Sequence, residues 1–177
     1  MTETALVTGA SRGIGLETVR RFLHNSDSIT TIVMFARASE DFDAAVEELR
    51  ASSPVGRKIV TRTVDVGDRD ALHEALESVH EEVGNIDYLV NNAGYTNPVP
   101  LQQAEIEDFE KTMGVNVYAP FLIVKWLLNH GNTFKLIVNI ASTAGINGRS
   151  GWLTYSASKA AVINMSQVMR EELAIYG

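Results

Sequence analysis

Short apolar runs of strand length alternate along the chain with longer stretches of helical period. Ala5-Leu6-Val7 reads as a short strand that ends at Thr8-Gly9. Ile14, Val19, Phe22 and Leu23 then place apolar groups on one helical face, up to about His24. Thr30 to Phe35 is β-branched and apolar and predicts a second strand. Phe42, Ala45, Val46 and Leu49 recur at helical spacing until Ser52-Ser53-Pro54 breaks the helix. From Lys58 to Asp65, Ile59, Thr61, Thr63 and Asp65 alternate with Val60, Arg62 and Val64, a third strand. Leu72, Ala75, Leu76 and Val79 predict a helix closed near Gly84. Tyr88-Leu89-Val90 is a fourth strand, and Glu107 to His130 reads as one long helix with a kink expected at Pro120. Leu136 to Ile140 is a fifth strand, and Leu153 to Ile175 a last helix.

Strands that are apolar on both faces, each followed by a helix, predict a doubly wound α/β fold. Its sheet is parallel and built from right-handed crossovers. With no repeat, low-complexity tract or linker, residues 1–177 are expected to form a single domain.

Composition narrows the chemistry. The 22 acidic against 15 basic residues give a net charge of −7, which argues against a nucleic-acid-binding surface. The absence of cysteine removes disulfides, cysteine-ligated zinc and a cysteine nucleophile, and no metal ligand set is expected. No apolar run approaches the ~20 residues of a bilayer span. Met1-Thr2-Glu3-Thr4 lacks the regions of a signal peptide, so a cytoplasmic location is expected.

Thr8-Gly9-Ala10-Ser11-Arg12-Gly13-Ile14-Gly15 joins the first strand to the first helix. Such a turn brings backbone and helix N–H groups to a pyrophosphate. Gly9 supplies the tight turn, while Gly13 and Gly15 leave room for ligand and for helix packing. The second strand ends Phe35-Ala36-Arg37, without the acid that would take both ribose hydroxyls of NAD. Arg12 and Arg37 together suit the extra 2′-phosphate of NADP(H). Glu40 and Asp41, just beyond, have the setting of a helix N-terminus.

Tyr155 and Lys159 are one helical turn apart, so phenol and ammonium share a face. A neighbouring cation favours a phenolate and makes a tyrosine a usable proton donor. Ser142 follows the fifth strand, on the sheet edge that carries the glycine turn, where a hydroxyl could hold a carbonyl. Asn91-Asn92-Ala93-Gly94 follows the fourth strand on that same edge. Asn116, a poor helix former in a Val-rich stretch, reads either as a kink bonded by its amide or as a water-holding site.

Taken in order, the glycine turn, Asp65-Val66, Asn91 to Gly94, Asn116, Ser142, Tyr155 and Lys159 resemble the short-chain dehydrogenase/reductase family, most of all its 3-oxoacyl-carrier-protein reductases. The resemblance implies a Rossmann-like sheet of strand order 3-2-1-4-5. It implies Tyr155 as general acid/base, Lys159 on the nicotinamide ribose, Ser142 on the carbonyl and Asn116 holding a relay water. Cofactor contacts are implied for Gly9, Ser11, Arg12, Gly13, Ile14, Gly15 and Arg37, and for Asp65 and Val66 at the adenine. Asn91, Ala93, Gly94, Tyr155 and Lys159 would complete that pocket. It further implies hydride transfer between NADP(H) and a small carbonyl or secondary alcohol, with a 3-oxoacyl thioester as the leading substrate, and a homodimer or homotetramer. The family's chain runs on past the tyrosine helix into two more strands and a substrate loop. This sequence ends at Gly177, so a shortened version is expected, with a non-catalytic nucleotide-binding protein as the rival reading.

Overall fold

In a computed structural model describing residues 2–174, five parallel strands line up in the order β3-β2-β1-β4-β5. They are β1 (Glu3–Thr8), β2 (Ile29–Ala36), β3 (Lys58–Thr63), β4 (Tyr88–Asn91) and β5 (Leu136–Asn139). The helices between them are α1 (Gly13–Asn25), α2 (Glu40–Ser52), α3 (Arg69–Val83), α4 (Ile106–Met113), α5 (Ala119–Asn129) and α6 (Leu153–Leu173). The expected α/β class and strand order are those observed. The projected end of the last helix at Ile175 lies outside the described residues.

Alternation along the central strands sorts the core into two layers. Leu6, Val33, Phe35 and Leu89 face α3 and α5, burying Leu72, Leu76, Ile123 and Leu127. Ala5, Val7, Ile32 and Met34 face the other way, onto Val19 and Leu23 of α1 and Phe42 and Leu49 of α2. Because residues 5–7 of β1 and 32–36 of β2 are buried on both faces, those stretches are apolar without a break, as the sequence pattern required.

Element boundaries differ in places from the sequence pattern. The third strand stops at Thr63, two residues early. Val64 makes a last backbone bond to Ala36, after which the Asp65 carboxylate accepts from Gly67 N–H and turns the chain. The helix expected over residues 107–130 is in three parts: α4, a π-helical turn at Gly114–Tyr118, and α5. Pro120 stands in the first turn of α5, directly behind the π-helical turn. The irregularity belongs to Asn116. Its buried side chain reaches out of the helix to accept from Tyr95 N–H at 2.8 Å and to donate to Tyr95 C=O at 3.0 Å. Glu40 and Asp41 open α2, in keeping with their expected helix N-terminal setting, and its cap is Ser39, accepting from Phe42 N–H.

Candidate cofactor and catalytic site

The glycine turn is held by the chain itself. Gly9 and Gly13 have φ of 65° and 58°, a region that side chains rarely adopt. A Cβ on Gly15 would stand 2.3 Å from Gly9 O and 2.5 Å from Asn92 Nδ2, so that glycine serves packing rather than ligand space. Gly13 faces open space instead. Asn92 clamps the turn from β4: its amide donates to the carbonyls of Thr8 and Gly9, each at 3.0 Å. Thr8 Oγ1 returns the tie, accepting from the N–H groups of Asn92 and Ala93. Arg12, at the start of α1, offers no side-chain acceptor to the first turn, so the helix opens on uncapped N–H groups. Ile14 lies beside them, 62% exposed.

A cavity of about 490 Å³ lies at this carboxyl edge of the sheet. Gly9, Ser11, Arg12 and Arg37 line one part, and Asp65, Val66, Ala93 and Gly94 another. Gly13, Ile14 and Gly15 are outside its lining. Asn91 is placed elsewhere too. It is the buried last residue of β4, and its amide donates across the sheet to Asn139 Oδ1, which sits in a chain leading to Ser166 of α6. Sequence reading missed Asn92, Tyr95 and Lys111 as cavity residues. Asn92 was visible within its motif. Lys111, whose ammonium lies 4.4 Å from the Tyr95 ring centre, is brought there only by tertiary packing.

The cavity suits a dinucleotide in size and in chemistry. It brings together Arg12, the residue before α1, and Arg37, with Ala36 rather than an acid at the end of β2. Arg12 and Asp41 are a loose, exposed ion pair at 3.7 Å. Among the described residues Arg37 has no such partner, and no metal-binding group of three or more acidic, His or Cys side chains occurs.

The four expected catalytic residues lie outside that lining, around the first turns of α6. Lys159 is buried, and its ammonium donates to Ile140 C=O at 2.6 Å, just past the end of β5. Burial lowers its pKa, since a desolvated ammonium is costly. The same ammonium is 5.6 Å from the Tyr155 ring centre. Ser142 caps a short 3-10 turn, Thr143–Gly145, accepting from Ala144 N–H. That turn is pressed onto α6: a Cβ on Gly145 would come within 2.6 Å of the Lys159 backbone. Asn116 also donates, at 2.9 Å, to Ser158 Oγ, which donates in turn to Tyr155 C=O at 2.7 Å. Asn116 therefore acts as a tie between the Tyr95 segment and the Tyr155 turn, with both of its N–H donors used there.

A model of the short chain dehydrogenase family matches residues 3–177. The chain is 34% identical over 176 residues to a 3-oxoacyl-[acyl-carrier-protein] reductase of Thermotoga maritima, covering 97% of this chain and 68% of that one. It is 33% identical over 175 residues to gluconate 5-dehydrogenase of Gluconobacter oxydans, covering 98% and 66%. Among solved structures it resembles a blue fluorescent protein from a metagenomic library in complex with NADPH. The TM-score is 0.84 at 33% identity, over 98% of this chain and 69% of that one. It also resembles an NADPH-bound carbonyl reductase from chicken fatty liver, with a TM-score of 0.86 at 25% identity, over 99% and 76%. The chain thus spans about two thirds of the length of the two enzymes.

Proposed function

The chain belongs to the short-chain dehydrogenase family, and on that premise we propose that it binds NADP(H) and serves reversible reduction of a carbonyl to a secondary alcohol. The observation that carries the reading is the approach of a buried ammonium to the ring of a tyrosine one helical turn away. Tyr155 lies over the buried Lys159, and Lys159 is fixed by Ile140 C=O at the end of β5. Bound NADPH supplies the hydride. The protein's part is to move a proton and to hold two partners in register. Tyr155 gives its phenolic proton to the carbonyl oxygen as that oxygen gains charge, and Lys159 stabilises the phenolate left behind. Ser142 hydrogen-bonds the same oxygen and fixes its orientation. Arg12 and Arg37 take the 2′-phosphate, Asp65 the adenine amino group, and the uncapped start of α1 the pyrophosphate. A 3-oxoacyl thioester is the favoured substrate, in line with the name of the Thermotoga relative. A cysteine-free composition suits a reducing, cytoplasmic setting.

Two measurements on one pair of proteins test this. NADPH titration followed by fluorescence should give binding to the unmodified chain and, within about twofold, to Tyr155→Phe. Turnover of an acetoacetyl thioester should fall by about 10²–10⁴ in the variant. Unchanged turnover by Tyr155→Phe would remove the assigned acid, and absence of NADPH binding would remove the whole reading.

A further inference from the structure

The phosphate corner of the cavity holds an acid as well as its two arginines, and the acid bears on only one of them. Asp41 lines the cavity, and its Oδ2 lies 3.7 Å from Arg12 Nη1. Arg37, on the same wall, has no carboxylate partner among the described residues. Neither member of the Arg12–Asp41 pair is packed in place: the side chains are 79% and 63% exposed, and no hydrogen bond joins them. Asp41 sits in the first turn of α2, where the helix dipole favours a carboxylate and where Ser39 caps the helix. Its placement is therefore set by α2, and Arg12 on the glycine turn comes to it.

Resting on the NADP(H) reading above, we propose that Asp41 is a specificity-determining residue that occupies Arg12 and is displaced by the 2′-phosphate. Arg37 gives the phosphate an unopposed positive charge. Arg12 contributes only by exchanging a carboxylate for the phosphate, so its gain is the difference between two anions. NADH carries two ribose hydroxyls there, has no charge with which to displace Asp41, and leaves the Arg12–Asp41 pair intact. Asp41 thus weakens selection for NADPH without abolishing it, which suits an enzyme that must release its oxidised cofactor.

The exchange makes a signed prediction. Asp41→Asn frees Arg12 and should tighten NADPH by about two- to fivefold, the range expected of one exposed ion pair. NADH affinity should move by less than twofold. The gain should shrink between about 20 mM and about 500 mM salt, as screening requires. In an Arg12→Ala background the same Asp41→Asn change should give less than half of that gain. Fluorescence titration of both dinucleotides with the four proteins reads all of this, with no turnover needed. Equal affinity of the unmodified chain for NADPH and NADH would overturn the NADP(H) reading and this inference with it. Preference for NADPH that Asp41→Asn leaves unchanged or lowers would overturn the inference alone. So would a full gain in the Arg12→Ala background.

Discussion

At the scale of single residues, burial and partner decide what each charged or polar group does. Glu3, at the start of β1, is buried, and Lys135 donates to its Oε1. That contact holds the carboxyl at a pKa of about 2, well below its ordinary 4.5. A depressed carboxylate stabilises the fold above its unfolded pKa, and the contribution is lost as pH falls from about 4.5 through about 2. Lys135 is shifted up by the same contact, so its contribution persists at neutral pH and is lost only in strong base. Glu3→Gln should therefore lower the melting temperature at pH 7 and flatten its decline between pH 4.5 and pH 2. Thermal melts by circular dichroism at those pH values would check it, and parallel curves for the two proteins would show that the pair is idle. Lys159 is the opposite case, a cation whose burial serves the site at a cost in solvation.

At the scale of elements, the sequence pattern located strands more surely than it located the ends and interruptions of helices. Ala5-Leu6-Val7 and Ile32 to Phe35 were legible because both faces of the strand are buried there, which leaves an unbroken apolar run. The π-helical turn was not legible as a break. Nothing local in Gly114-Val115-Asn116-Val117 demands one, since its cause is Tyr95, 21 residues away in sequence. Only the polarity of Asn116 among valines gave notice, and in the structure its amide bonds to Tyr95 and Ser158. The glycine turn was legible as a motif, but the division of labour between Gly13 and Gly15 needed Asn92 and Gly9 in place. Ser158 carried no signal at all, although it is fully buried and joins Asn116 to Tyr155. This tie yields a prediction. Asn116→Ala removes three hydrogen bonds and leaves Tyr95 N–H and C=O without their partners, a loss of about 2–4 kcal/mol. Asn116→Asp keeps an acceptor for Tyr95 N–H but buries a carboxylate against Tyr95 C=O, and should be at least as unstable as Asn116→Ala in urea denaturation at neutral pH. Equal midpoints for Asn116→Ala and the unmodified chain would mean that the π-turn holds its shape without the amide.

At the scale of the whole molecule, apolar surface remains where α5 and α6 run side by side. Of the apolar positions at helical spacing on these two helices, Met165, Met169 and Leu173 supply that surface, whereas Val162, Leu122, Trp126 and Leu127 do not. Val162 and Leu127 are buried in the chain's own core, and Trp126 is turned to His73 and His80 of α3. The outward groove, about 440 Å³, is lined by Phe121, Val124 and Leu128 with Met165, Val168 and Met169. Phe121 and Val168 are 45% and 47% exposed, more than a chain that stays alone gains from large apolar groups placed together. Lys125 and Glu172 flank the groove on opposite helices. We therefore expect these two helices to form an isologous interface with their own copy in a homodimer, or as one interface of a homotetramer. Phe121→Glu with Val168→Glu would place four carboxylates in that interface, two from each copy. Light scattering at micromolar concentration should then report a dimer or tetramer for the unmodified chain and the 19.4 kDa monomer for the double variant. The substituted side chains are already open to solvent in the single chain, so its circular dichroism should be unchanged. A monomeric mass for the unmodified chain would assign the groove to some other partner, and an intact oligomer in the double variant would move the interface elsewhere on the molecule.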